Sequence, residues 1–156
     1  MTRIAALSIL SYIIASSPAA IGAEVAPEVT AIEVRLFQNH TGTLSEPIAE
    51  GATLWNTVIG EGDAREPSTS TFVKVKVAGA PSSYRKNAAV QLTVKTPGKN
   101  SPSAKLKKSL GVFDREGNQF VAFWLPNTGC ETLLLSARAT GSPKVLQHTD
   151  PFKCGE

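Results

Sequence analysis

The strongest constraint on this chain is alternation. Apolar and polar residues trade places at period two in one segment after another, and no long stretch holds a period of 3.6. Ile32, Val34 and Leu36 alternate with Glu33 and Arg35; Val73, Val75 and Val77 alternate with Lys74 and Lys76; Val90, Leu92 and Val94 alternate with Gln91, Thr93 and Lys95. Successive side chains of a strand point to opposite faces, so each set buries one face and wets the other. Leu133, Leu135 and Ala137 supply a further inward face, followed by a strand over Val145 to Phe152. The run Phe120-Val121-Ala122-Phe123-Trp124-Leu125 is apolar on both parities. That pattern predicts a central strand covered on both sides, or a strand at an interface, and it places Trp124 in the core.

Turn-forming clusters stop these strands: Gly60 to Pro67, Gly79 to Ser83, Pro97 to Pro102, Glu116-Gly117-Asn118, Pro126 to Gly129 and Gly141-Ser142-Pro143. Seven or eight short strands punctuated in this way predict an all-β fold, a Greek-key β-sandwich, with a closed barrel as the main competitor. A chain of 156 residues, 42% of them hydrophobic, permits one such domain and a leader.

The leader is expected at residues 1–23. Arg3 gives a positive start, Ile4 to Ile14 is apolar, and Ser16 to Ala23 is rich in small residues, with Ile21-Gly22-Ala23 as the cleavage site. The apolar stretch is too short to span a bilayer, so a cleaved secretory signal is favoured over an anchor, and a soluble domain over 24–156 is expected outside the cytoplasm, periplasmic or secreted. In that compartment Cys130 and Cys154, the only cysteines, are expected to form one disulfide. Their numbers are symmetric about Ser142, inside the only turn signal between them, as a cross-strand bridge at the open end of a hairpin requires. Closing that 25-residue loop stabilises by roughly 3 kcal/mol on the chain-entropy argument. A β-bulge would shift the register by one.

The segment Trp124-Leu-Pro-Asn-Thr-Gly-Cys130, followed by Glu131-Thr-Leu-Leu-Leu-Ser-Ala137, resembles the corner at which immunoglobulin-like sandwich domains cross from one sheet to the other and enter the penultimate strand. The corner tyrosine two residues before the cysteine is absent, and the disulfide staples a terminal hairpin where antibody domains link two sheets. The resemblance covers the last third of the chain and implies a fold, not an activity.

Charge is distributed unevenly. From Glu24 to Glu66 there are eight acidic residues against Arg35 and Arg65; from Pro67 to Phe113 there are nine basic residues and no acidic one. One reading is a basic face built from Lys74, Lys76 and Lys95 with Lys105, Lys107 and Lys108, whose partner outside the cytoplasm is an anionic glycan, a cell-envelope polymer, an anionic membrane surface or an acidic protein. The alternative is that the acidic first third pairs with this block inside the fold, while lysines guard edge strands. Nucleic acid is a poor partner, because Tyr84 is the only aromatic near most of these lysines, Phe72 aside.

Catalytic constellations are sparse. His40, in a turn at Asn39-His-Thr-Gly42, and His148, in the last strand, are the only imidazoles, and no nucleophile elbow, His-x-x-x-His pair or phosphate-cradling loop is present. No enzyme, cofactor or metal site is therefore expected. Glu61, Asp63 and Glu66 are read as an acidic surface loop, since the ordered calcium-loop spacing is missing. Trp55 is either core or a ligand-stacking platform. A non-catalytic binding or accessory module follows, for adhesion or envelope association. Its competitor is a small inhibitor or chaperone-like protein acting on a partner enzyme through an edge strand or terminal loop.

Overall fold

The computed structural model describes residues 25–52, 54–55, 68–98, 103–128 and 131–153. Their order is β1 (Glu28–Phe37), β2 (Leu54–Trp55), β3 (Ser70–Ala78), β4 (Ala89–Lys95), β5 (Ala104–Ser109), β6 (Asn118–Pro126), β7 (Thr132–Ala139) and β8 (Leu146–Lys153), with no helix among the described residues. The strands form two sheets, a three-stranded one in the order β1-β3-β6 and a five-stranded one in the order β2-β8-β7-β4-β5. All pairings are antiparallel except that of the two-residue β2 with β8.

Alternation decides which side chains meet. Val34, Leu36, Val73, Val75, Val77, Val121, Phe123 and Leu125 point inward from the first sheet, and Val90, Leu92, Val94, Leu133, Leu135, Ala137 and Phe152 from the second. Together they make one core, and each fully buried valine or leucine in it contributes roughly 1.5–3 kcal/mol of apolar transfer. Among the described strands the chain changes sheet between β1 and β2, β2 and β3, β3 and β4, β5 and β6, and β6 and β7.

Two expectations need correction. The doubly apolar run is not a central strand among the described residues: there β6 is an edge strand whose only sheet neighbour is β3, so one parity packs into the core and the other faces outward. Trp124 is therefore not a core residue but 45% exposed, and Phe120 on the same side is 56% exposed. The terminal hairpin forms, with Thr132 opposite Pro151 and Ala137 opposite Leu146, but its centre falls between Gly141 and Ser142, one residue off in register from the midpoint of the cysteine numbers. Cys130 and Cys154 themselves lie outside the described residues, as do the leader and the Glu61, Asp63 and Glu66 loop.

Beside β6 the backbones approach closely. Gly79 donates its N–H to the carbonyl of Gly117 at 2.8 Å, and Gly117 has a φ of 78°, a left-handed conformation that favours glycine. A methyl group on Gly79 would sit 2.6 Å from the buried ring of Phe113. These contacts fix where β3 ends and β6 begins.

Candidate binding surface

The six lysines expected on one basic face are divided by the fold. Lys74 and Lys76 lie on β3, in the three-stranded sheet, and Lys95, Lys105 and Lys107 on β4 and β5, in the other. The two groups occupy the outer faces of different sheets, because consecutive strands β3 and β4 belong to different layers. Sequence proximity could not reveal this. Lys108 stands apart again: it pairs with Val90, on the core-facing parity, and its ammonium lies 5.7 Å from the centre of the Phe123 ring.

On the outer face of the five-stranded sheet, register assembles rows of polar groups. Lys107 is opposite Gln91, which is opposite Arg138; Lys105 is opposite Thr93, then Ser136, then Gln147; Lys95 is opposite Leu134, then Thr149. Lys153 continues the outward parity of β8. No aspartate or glutamate occupies an outward position on β4, β5, β7 or β8; the one acidic residue on these strands, Asp150, points into the core. Lys105 and Lys107 are about 7 Å apart along their strand, and neighbouring strands are about 4.8 Å apart. Cations at this spacing match the charge intervals of an extended polyanion. Arg138 was missed from sequence because it lies outside the acid-free block and joins the face only through pairing with Gln91.

The three-stranded sheet presents a different surface. Arg35 is opposite Phe72, which is opposite Trp124, and Glu33 is opposite Lys74, which is opposite Ala122. Phe37 reaches Trp124 edge-on, with ring centres 4.9 Å apart at 69°. Glu33 bonds both Lys74, at 2.6 Å, and Arg35, at 2.7 Å, and Lys74 also lies 5.8 Å from the Phe120 ring centre. The Lys74 bond holds the Glu33 carboxyl below the usual carboxylate range. Lys144 pairs with Glu28. Among the described residues, part of the acidic first third thus neutralises basic residues, on the three-stranded sheet and at the hairpin turn, and leaves the outward positions of β4, β5, β7 and β8 without an acidic residue.

The histidines also separate. His40 is exposed in the turn after β1. His148 is 7% exposed on the inward face of β8, where its Nε2 lies 3.1 Å from Oδ1 of the fully buried Asp150. Burial pushes the Asp150 carboxyl up to about 6, partly opposed by His148 and slightly reinforced by Glu50. Oδ2 of Asp150 meets no donor, and among the described residues no hydroxyl bonds the pair. This geometry is a buried polar pair inside the core. Among the described residues, no group of three or more His, Cys, Asp or Glu could hold a metal ion, and no helix is long and apolar enough to cross a membrane. Trp55 contributes its backbone to β2, and its side chain lies outside the described residues. Compared with known proteins, the chain matches no family model and no curated sequence.

Proposed function

We propose that this chain is an exported, non-catalytic binding module that holds an anionic glycan or envelope polymer on the outer face of its five-stranded sheet. One observation carries the reading: Lys95, Lys105, Lys107, Arg138 and Lys153 stand on that face, and no outward position on β4, β5, β7 or β8 is acidic. Gln91, Thr93, Ser136 and Gln147 between them supply hydrogen-bonding groups of the kind a sugar hydroxyl accepts from or donates to. A flat polar sheet face suits an extended polymer more than a small molecule, which needs a concave site.

An immunoglobulin-like assignment belongs to the same proposal. The order β1-β3-β6 corresponds to strands A, B and E of such domains, and β8-β7-β4-β5 to G, F, C and an added C′. Export through a cleaved leader at 1–23 to the periplasm or beyond, and a Cys130–Cys154 bridge, complete the reading.

The test is retention on a polyanion, with dextran sulfate and polygalacturonate as probes. The full chain is expected to bind at low salt and to lose affinity at least tenfold between roughly 50 and 300 mM salt. The variant Lys105→Gln/Lys107→Gln/Arg138→Gln should lose binding with its fold intact. No retention at low salt, or unchanged retention by the triple variant, sinks the proposal. A protein partner is a second reading, favoured by the outer edge of β6, which no strand pairs among the described residues.

A further inference from the structure

Among the described residues, the edges of β1, β8 and β5 are covered or charged. The edge of β1 is covered by the segment after it, through bridges from Val34 to Ile48 and from Phe37 to Leu44, with Ile48 N–H donating to Val34 O at 2.8 Å. β8 is flanked by β2, and Gly51 N–H donates to Thr149 O at 3.0 Å. β5 is an edge, but Lys105, Lys107 and Lys108 make up half of its six residues, which deters pairing with another strand. β6 is the exception. It is nine residues long, Asn-Gln-Phe-Val-Ala-Phe-Trp-Leu-Pro, with no charge, and among the described residues nothing pairs with its outer edge. A long, uncharged, apolar edge presents alternate N–H and C=O groups to any extended chain that approaches.

The surroundings of β6 say what that chain would be. Lys76 is directly opposite Phe120, Lys74 lies over the same ring, and Lys108 reaches Phe123 from the core side. Lys74 is paired with Glu33, and Asp114 and Glu116 bond Asn118 at the first residue of β6, so the cations beside the rest of the strand are Lys76 on its outward face and Lys108 on its inward one, and β3, β5 and β6 carry no acidic residue of their own. A second copy of this chain would bring the same lysines with it and meet like charge. An acidic strand would be complementary at the edge, with its apolar side chains resting against Phe120 and Trp124.

We propose that β6 is a strand-accepting edge for an extended acidic segment of a partner protein, which adds to the three-stranded sheet as its fourth strand. This surface is separate from the polyanion face and does not depend on it.

The probe is a nine-residue peptide alternating Glu and Val, titrated into the full chain. Two controls accompany it: the same peptide with Lys in place of Glu, and one of equal charge with two Val replaced by Pro. The acidic peptide is expected to bind and to slow amide exchange at residues within 118–126, and both controls are expected to fail. Lys76→Glu and Phe120→Glu, both at outward positions, should each weaken binding at least fivefold, while the Lys105→Gln/Lys107→Gln/Arg138→Gln variant binds as the unsubstituted chain does. Three results would overturn the proposal: equal binding by the proline peptide, exchange protection centred away from β6, or no binding at millimolar peptide. Self-association of the chain through β6 would overturn it as well.

Discussion

Asp150 is where a single residue departs furthest from what its type prefers. A carboxylate in an apolar interior loses its water shell, and Asp150 has only the His148 ring as a partner for one of its two oxygens. Its folded pKa of about 6 lies above the ordinary 3.8, so the folded chain keeps a proton that the unfolded chain has released between these values. That contribution to stability is fully present below about pH 4 and is lost as pH rises through about 6. Asp150→Asn keeps an oxygen for His148 and removes the titration. At pH 7.5 the variant is expected to be the more stable by about 1–3 kcal/mol, and at pH 4 to differ little. Denaturant melts at the two pH values check this, and a variant destabilised equally at both would contradict it. His148 and Asp150 sit two apart in a strand whose alternation is visible in the sequence. Their shared face was therefore legible, but whether that face was the buried one was not, because Gln147, Thr149 and Pro151 on the other parity are hardly more polar.

At the scale of elements, the turns do the registering. Gly79 and Gly117 bring the end of β3 against the start of β6, and Phe113 fills the space a side chain on Gly79 would need. Gly79→Ala is expected to cost about 1–3 kcal/mol by forcing that buried ring aside, read as a lower denaturation midpoint at unchanged slope. The β7–β8 hairpin carries a second prediction. In exported material, non-reducing peptide mapping should recover Cys130 and Cys154 in one crosslinked fragment, and reduction should lower stability by roughly 3 kcal/mol. Free thiols at both positions would remove the crosslink from the account. The hairpin was readable because a turn signal lies midway between two alternating segments; its register was not, since a shift of one residue leaves the local composition unchanged.

For the whole molecule, the consequence of layering is that charge and apolar surface segregate. The outward positions of β4, β5, β7 and β8 carry cations and no acidic residue, and the three-stranded sheet carries Phe37, Phe72, Phe120 and Trp124 with Glu33, Arg35 and Lys74 in mutual contact. Replacing Lys74 and Lys76 by Gln is accordingly expected to leave polyanion retention within about twofold of the unsubstituted chain. Saturating polyanion should likewise not displace the acidic peptide from β6. Competition between the two would mean that a single field, not two faces, governs binding.

The all-β class and the places of β1, β3, β4, β6, β7 and β8 were determined by the sequence alone, because period-two alternation leaves a strand as the only element that can bury one side of each segment. The inward sets of β1, β3, β4 and β7 are the residues the alternation names. The partition of strands between layers was decided by tertiary structure. Lys74 and Lys95 look equivalent along the chain, yet they belong to different sheets because the connection from β3 to β4 crosses between layers. The same partition put β6 at an edge and exposed Trp124, although its composition suits a central strand. Alternation fixes which face of a strand is apolar, whereas the neighbours that cover or uncover its second face come from pairing between segments far apart in the chain.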